Sequence, residues 1–433
     1  MEWFLPHARN PISLIVLRWC FAAVAASTLA ACADVPTERG SVLVPEIAIR
    51  EEERGLEFDP AMVMSIGGSK DAPGHALHLV RAAVLLGTGD VLIATEGSQS
   101  ILYFDSVGSL LRQVGRAGDG PGEFRRIRSL HVLHGDTVAA WDPVVRRITM
   151  LESNGTLLKT IGLQDVWSDA RPLELYGLDN ERAAVVSANY LDEAHRRANG
   201  FVRDSVRAAV IDGGGQVVAG LSPLAGHEYF VAEQTALLAP FSFFLHAAGT
   251  PIGFYVGYGR GAELLEYSFA GVPKRRLRVP IRRKQITRME LEAARARFLD
   301  RFSTSDRPAI GSMYDNAVAV DSFPAFTDLK GTSDGLLWLR LYAIDAGQRN
   351  DWLVVDPSNG TARSARLPQG MKLLDARGNL VVMLTADSLD REEVQLFRLR
   401  AATVEAGAWR REVDAIAQPS VPRPLAETLS HAG

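Results

Sequence analysis

The chain has 433 residues, 47% of them hydrophobic, and a formal net charge of −4. This length allows two or three ordinary domains or one large repeat domain, and the composition is that of a protein with a well-buried core. The small negative charge and the lack of a dominant basic face argue against a nucleic-acid-binding protein.

The first 31 residues have the pattern of a bacterial lipoprotein signal peptide. Two arginines precede a short apolar stretch at 19–31, and Leu29-Ala30-Ala31-Cys32 has the small residues and the cysteine of a lipobox. We therefore predict cleavage before Cys32, acylation of its thiol, and a membrane-anchored protein in the periplasm or at the cell surface. A plain secretory signal and a retained transmembrane anchor are the alternatives. Cys20 would leave with the signal, so the folded part would contain no disulfide.

Two glycine-rich loops share one skeleton, which predicts an internal repeat. The clearer copy is Gly115-Arg116-Ala117-Gly118-Asp119-Gly120-Pro121-Gly122-Glu123-Phe124, in which the glycines permit positive φ and the proline fixes the chain. The matching positions, 48 residues upstream, are Gly67, Asp71, Pro73 and Gly74. The pair Ile161-Gly162 repeats the start of the loop 47 residues downstream. A period of this length, filled with short strands, is typical of β-propeller blades.

After a polar tether at 32–42 and short β-like runs at 43–49 and 62–66, the chain divides into six strand-rich units. The first runs from about 77 to 114 and the second ends at Ile161, each with four short strands of alternating or apolar pattern. The later units cover about 171–221, 238–280, 317–368 and 371–399. Four strands a unit is the content of a propeller blade.

The last unit supplies only three strands, so we expect the run Met62–Ile66 to supply the fourth and to close the ring. Between the fourth and fifth units, Leu291, Ala294, Phe298 and Phe302 have helical spacing, which predicts an inserted helix over 287–302. The prediction is thus an all-β, six-bladed propeller of four-stranded antiparallel blades over 43–404, followed by a tail at 405–433.

Four segments resemble bacterial six-bladed β-propeller lipoproteins of the NHL-like or TolB-like kind. They are the lipobox, the loop Gly118–Phe124 with the strand Leu337-Trp338-Leu339, and the closing segment Val382–Leu399. The resemblance covers roughly 45–400 and implies the fold and the extracytoplasmic address. His75 stands where the clearer loop has Glu123. The family has no agreed catalytic residues, so the resemblance implies no mechanism.

Few residues suggest chemistry. The glycine-rich loop lacks the lysine and the Ser/Thr of a phosphate-binding loop, and Glu123 is expected to accept hydrogen bonds from its own loop. The pairs His75/His78 and His131/His134 have a spacing that does not bring two rings together on strands, so zinc is not expected. Aspartates at turns commonly cap their own backbone. This group is Asp90, Asp105, Asp136, Asp142, Asp212 and Asp356. The basic run Lys274–Lys284 is expected to be an outer strand whose charges face solvent and blunt edge pairing, with anionic headgroups as the alternative.

These observations favour a lipid-anchored binding or scaffolding module for a protein or small ligand over an enzyme. The alternative is a channel-centred, metal-dependent hydrolase or lyase of the lactonase type, with a divalent ion such as calcium held by converging carboxylates. No catalytic, cofactor-binding or metal-binding residue is predicted, and Cys32 is the one predicted modification site.

Overall fold

The computed structural model describes residues 44–68, 77–164, 166, 174–177, 179, 181–188, 197–221, 224–232, 235–318, 320–343 and 350–402. This part of the chain is mostly β. The signal peptide, Cys32, the tether, the first-loop residues Asp71, Pro73, Gly74 and His75, and the tail after 402 lie outside the described residues. No described helix is long and apolar enough to cross a bilayer.

Two regular antiparallel sheets follow three N-terminal strands. The N-terminal strands are β1 (Glu46–Ala48), β2 (Arg50–Glu51) and β3 (Leu56–Gly67). The first sheet, in this order, is β4 (Val80–Leu85), β5 (Val91–Thr95), β6 (Ser100–Phe104) and β7 (Leu110–Val114). The second sheet comprises β8 (Ser129–Val132), β9 (Val138–Asp142), β10 (Arg147–Leu151) and β11 (Leu157–Gly162). The middle strands are buried on both faces, which explains their continuous apolar sequences.

The third sheet is larger than predicted. It contains β12 (Glu174–Gly177), β13 (Ala183–Ala188), β14 (Gly200–Ile211), β15 (Val217–Gly220), β16 (Leu224–Ala232) and β17 (Thr235–Leu238). Its extra strands, β16 and β17, fall in the segment that the sequence analysis left between two units. The fourth sheet comprises β18 (His246–Thr250), β19 (Gly253–Gly257), β20 (Glu263–Tyr267) and β21 (Pro273–Arg278), with β1 alongside β21.

The predicted inserted helix is present, and a second helix follows it. They are α1 (Arg288–Leu299) and α2 (Arg307–Ala317). A capping box starts α1: the Glu290 amide donates to the Thr287 hydroxyl at 3.3 Å, and the Thr287 amide donates to the Glu290 carboxylate at 2.9 Å. The Phe298 ring lies 5.0 Å from the Tyr314 ring, so the two helices pack on each other.

The remaining strands form one nine-stranded sheet. They are β22 (Phe326–Gly331), β23 (Leu337–Leu341), β24 (Asp351–Asp356), β25 (Thr361–Arg366), β26 (Lys372–Arg377), β27 (Leu380–Ala386) and β28 (Glu392–Ala401), joined by β3 and β2. β3 pairs along β28, with Met64 opposite Leu396 and Ile66 opposite Val394. The prediction that the N-terminal run completes the last unit is therefore confirmed. Only one residue pair, Ala365 with Leu56, connects β25 to β3.

The N-terminal segment also runs along the outside of two further units, which the sequence analysis did not foresee. β1 pairs in parallel with β21, and β2 pairs in parallel with β25. Ile49, between them, is 5% exposed and packs in the cluster shared by the fourth and fifth units. β21 is therefore not a free edge, and the prediction that its charges blunt edge pairing was wrong. We call residues 46–67 the N-terminal strap.

Six hydrophobic clusters fill the spaces between successive units. Leu92 and Leu130, for example, share the cluster between the first and second sheets. Ile66, Val80 and Val394 share the cluster that joins the last unit to the first. The units thus follow one another around a circle, an arrangement consistent with a β-propeller. By hydrogen bonding alone, the described strands form five sheets of four to nine strands.

Candidate functional site

The first strands of the units surround an axial channel. β4 contacts β8, β8 contacts β12, β12 contacts β18, and β18 contacts β22, while β26 contacts β4. β22 and β26 belong to the same nine-stranded sheet. In such a ring, side chains of the first strands that do not pack between units can only point toward the axis.

A small cavity lies at one end of the channel. Residues near the carboxyl ends of the first strands line a cavity of about 40 Å³. These include Val84, Val132, Thr250, Thr332 and Asp375. A volume of this size holds a few water molecules and no organic ligand. We call this the carboxyl end of the channel.

Charged side chains gather at the other end, where the first strands begin. The Arg128 guanidinium donates to the Glu174 carboxylate at 2.8 Å, and Arg81 pairs with Glu96. The charges of Arg81, Arg128, Asp328 and Lys330 all influence the pKa of Lys372. Arg81 and Lys372 lie at the start of β4 and β26, and Arg128 lies just before β8. Asp328 and Lys330 lie further along β22, where the charge of Lys330 also influences the pKa of Asp375. We call six of these residues the axial site: Arg81, Arg128, Glu174, Asp328, Lys330 and Lys372.

Burial within the channel shifts the pKa values of several groups. It lowers the pKa of His131 to about 4 and that of His246 to about 4, so both imidazoles are neutral at pH 7. Burial raises the pKa of the Tyr176 phenol, whose ring lies 6.4 Å from that of His131. The channel therefore has a lining of neutral rings between its charged ends.

Two groups titrate near neutrality. Burial, reinforced by the like charge of Lys330, lowers the pKa of Lys372 to about 8. Burial raises the pKa of Asp375 to about 7, although its carboxylate accepts a hydrogen bond from the Leu85 amide at 2.8 Å. Groups with such shifts, in a cleft, are typical of functional sites as well as of structural networks. The Leu85 contact also links the last unit to the first.

Two insertions lie on the side where the first strands begin. Glu174, the first residue of β12, is opposite Val186 near the end of β13, so β14 residues before Val206 project past this end of the channel. Their partners in β16 extend the same ribbon, and α2 contacts both β16 and β17. The chain leaves β21 after Arg278, which is paired with Glu263, the first residue of β20. It then forms the two helices and enters β22 at Phe326. We call this ribbon with the two helices the cap.

The glycine-rich loop is a structural connection outside the axial site. The Glu123 carboxylate accepts hydrogen bonds from the Gly120 amide and the Arg116 guanidinium, both at 2.8 Å, which confirms its predicted role. Phe124 is fully buried, and Gly115 has φ +89° directly against its ring. Gly67, the matching residue of the earlier copy, has φ +94°. The two matching glycines therefore share a left-handed backbone conformation.

The histidine pairs do not form sites. His131 lines the channel whereas His134 is exposed, and His78 is exposed while His75 lies outside the described residues. Among the residues that the structure describes, no group of three or more His, Cys, Asp or Glu side chains could hold a metal ion. The donors in the described part of the chain therefore do not fit the divalent ion of the predicted alternative.

Four of the six turn aspartates, Asp105, Asp142, Asp212 and Asp356, accept amides of their own turns as predicted. The Asp90 carboxylate accepts no hydrogen bond from any residue that the structure describes. Asp105, for instance, accepts hydrogen bonds from the amides of Val107 at 3.1 Å and Ser109 at 2.8 Å. Asp136 instead accepts from Gly87 at 2.8 Å and from Arg377 at 2.7 Å, so it ties together separate units. The basic run is largely neutralised: Lys274 and Arg275 pair with the buried Glu266.

Comparisons with known proteins leave the family open. No protein-family model and no curated protein matches the chain. A Bacteroides fragilis protein described as exported is 11% identical, with a TM-score of 0.44 and coverage of 83% of this chain and 100% of that one. A gluconolactonase from Xanthomonas campestris is 10% identical, with a TM-score of 0.38 and coverage of 82% and 97%. Virginiamycin B lyase from Staphylococcus aureus is 11% identical, with a TM-score of 0.35 and coverage of 73% and 94%. Similarity at this level gives no information about the activity of this chain.

The amino-acid sequence alone did not reveal the axial site. Its residues come from six separate positions, and each sits in an ordinary alternating strand or beside one. The available signal was the charge of residues that open a unit, such as Arg81 in β4 and Lys372 in β26. That signal is informative only once the first strand of every unit is known.

Proposed function

We propose that this protein is a lipid-anchored, extracytoplasmic, six-bladed β-propeller that binds a small polar ligand at the open end of its axial channel. The observation that carries the proposal is the axial site, where charged side chains from several units meet on the side of the cap.

The division into six blades rests on the strand order. Dividing the nine-stranded sheet at the single Ala365–Leu56 pair gives β22–β25 as one four-stranded blade and β26–β28 with β3 as another. Together with the first four sheets, this gives six units, matching the six hydrophobic clusters between them. The last unit combines β3 from the N-terminal end with β26–β28 from the C-terminal end. This makes the ring resistant to opening, because separating the two ends would expose an unpaired sheet edge.

Anchoring at Cys32 is tested by labelling. Cells that produce the full chain are fed a radioactive fatty acid, and the purified protein is examined for label and for its distribution between membrane and soluble fractions. We expect Cys32→Ser to abolish labelling and release the protein, whereas Cys20→Ser, within the predicted signal peptide, leaves both unchanged. Labelled, membrane-bound Cys32→Ser protein would contradict the proposal.

Ligand binding is tested by thermal stability in a panel of neutral sugars, amino acids, carboxylates and phosphates, because a ligand that binds only the folded state raises the melting temperature. We expect at least one compound to stabilise the wild type and to lose its effect in Asp328→Asn/Lys330→Met. The control is Arg112→Ala, on the exposed face of β7. Equal stabilisation of all three proteins would place the ligand elsewhere, and stabilisation by no compound would refute binding of these classes. The effect should survive a chelator, unlike that of a metal-dependent hydrolase or lyase.

A further inference from the structure

Two arginines lie against one buried aromatic ring where the cap joins the fourth unit. The guanidinium carbon of Arg283 lies 5.2 Å from the centroid of the Phe243 ring, and that of Arg260 lies 5.7 Å from the same centroid. Phe243, in the loop between β17 and β18, is 3% exposed. Arginines commonly stack on aromatic rings in this way, and the shared ring brings these two guanidinium groups into one neighbourhood.

The position of Arg260 is fixed by a glycine that precedes it. The Gly259 carbonyl accepts a hydrogen bond from the Ala325 amide at 2.9 Å, just before β22 begins. Gly259 has φ +67°, and a Cβ there would lie 3.0 Å from the Phe326 carbonyl oxygen. This close approach favours glycine, and it holds the turn that carries Arg260 against the start of β22.

Arg283 is held by the segment immediately before Ala325. Its guanidinium donates to the hydroxyl of Ser322, a residue that is 1% exposed. The Phe323 amide donates to the Lys284 carbonyl at 2.9 Å, which fixes the backbone beside Arg283. Both arginines are therefore positioned before any ligand arrives. A guanidinium held in this way loses less conformational entropy when it binds an anion.

The charge of the two guanidinium groups is not neutralised by close carboxylates. Arg260 is exposed and makes no hydrogen bond or ion pair with any residue that the structure describes. The Asp321 carboxylate lies 4.0 Å from Arg283 and its side chain is 84% exposed, so water screens this pair. Glu263, three residues after Arg260, pairs instead with Arg276 at 3.0 Å. Positive charge therefore remains on this surface.

We propose that Arg260 and Arg283 bind an oxyanion group, a phosphate or a carboxylate, on the surface where the cap joins the fourth unit. The planar guanidinium group matches both anions, because two of its N–H groups donate in parallel to two oxygens. The inference goes beyond the proposed function, since neither arginine belongs to the axial site. A soluble compound and the headgroup of an anionic phospholipid are the two sources of such a group.

The test is calorimetric titration of the purified protein with inorganic phosphate and with succinate, at constant ionic strength and pH 7. The variants Arg260→Met and Arg283→Met remove the charge and keep an unbranched side chain, and the control is Arg112→Met on the exposed face of β7. We expect each variant to lose affinity at least about tenfold, which corresponds to about 1.4 kcal/mol, and the control to lose none. The double variant of the axial site, Asp328→Asn/Lys330→Met, should bind as wild type does.

Sedimentation with lipid vesicles separates the two sources. Full-length Cys32→Ser protein, which cannot receive the predicted acyl anchor, is mixed with vesicles of phosphatidylglycerol or of phosphatidylcholine. Binding to phosphatidylglycerol that Arg260→Met abolishes, without binding of soluble phosphate, identifies the lipid headgroup as the source. Binding of soluble phosphate or succinate, with vesicle binding that does not depend on Arg260, identifies a soluble ligand.

Three results would overturn the inference. Equal affinity of wild type, Arg260→Met and Arg283→Met would place the anion elsewhere. Loss of binding in Asp328→Asn/Lys330→Met would place it at the axial site. No binding of phosphate, succinate or phosphatidylglycerol vesicles by wild type would refute the site and leave neutral ligands of the channel untouched. Folding is checked by the melting temperature without ligand, and Arg260→Met decides the question even if loss of the Ser322 contact unfolds Arg283→Met.

Discussion

Replacing Gly115 with alanine should destabilise the protein through a specific steric contact. The added Cβ would lie 2.4 Å from the ring of the fully buried Phe124, and the residue has φ +89°. Gly335 provides a matched control because it has φ +87° and no atom within 4 Å of the position that a Cβ would occupy. The two substitutions share the cost of a left-handed backbone and differ in packing alone.

The magnitudes follow from these two terms. A left-handed conformation costs a non-glycine residue about 1–2 kcal/mol. Overpacking a close-packed core adds about 1–3 kcal/mol. We therefore expect Gly335→Ala to lower the free energy of unfolding by about 1–2 kcal/mol and Gly115→Ala to lower it by about 2–5 kcal/mol.

Urea unfolding measures both losses, and coincidence of tryptophan fluorescence with far-ultraviolet circular dichroism tests whether the transition has two states. The Gly115→Ala/Phe124→Leu double variant supplies the coupling term, since a smaller side chain should relieve part of the clash. Equal losses for the two glycine variants would show that Phe124 yields without cost. That result would refute the conclusion that the repeated glycine is required by its neighbour.

Two further predictions concern stability. Because the folded-state pKa of Asp375 is raised from 3.8 to about 7, the free energy of unfolding should fall as pH rises from about 4 to above 7. At about 1.4 kcal/mol per pKa unit, the fall in the free energy of unfolding is at most about 4 kcal/mol. Asp375→Asn should reduce the difference in unfolding free energy between pH 5 and pH 8, whereas the control Asp90→Asn, at an exposed turn, should leave it unchanged. An unchanged pH profile in Asp375→Asn would exclude Asp375 as the cause of the fall. Ile49→Ala in the N-terminal strap should lower the free energy of unfolding in urea by about 2–5 kcal/mol. The control Met62→Ala, at a half-exposed position on β3, should lower it by less than about 0.5 kcal/mol. Similarly small losses for both variants would mean that the strap contributes little to stability.

The order of the units and the closing strand could be predicted because each depends on local pattern. Strand periodicity and turn residues are set by neighbours in sequence, and the three-stranded last unit left a place that only an apolar run such as Met62–Ile66 could fill. The inserted helix was predictable for the same reason, since its apolar spacing and the Thr287–Glu290 capping box are local.

The cap and the strap could not be predicted because each depends on length relative to a distant partner. The alternating residues at the start of β14 look like any strand, and they project from the ring only because β13 ends opposite Val206. The strap has a similar explanation. Its short runs carry no register of their own, and parallel pairing with β21 and β25 depends on two outer strands being free to receive it.

The position of the axial site follows from the geometry of a ring of sheets. Between units, side chains of both faces are buried against the next sheet, and a charge there would be costly unless paired, as Glu266 is with Lys274 and Arg275. At the axis, Lys330 is half-buried on β22 and has no hydrogen bond or ion pair with any residue that the structure describes. A ring therefore tolerates unpaired charge mainly along its axis and at its surface. The axis brings charges from several units together, which is why we expect ligand recognition there.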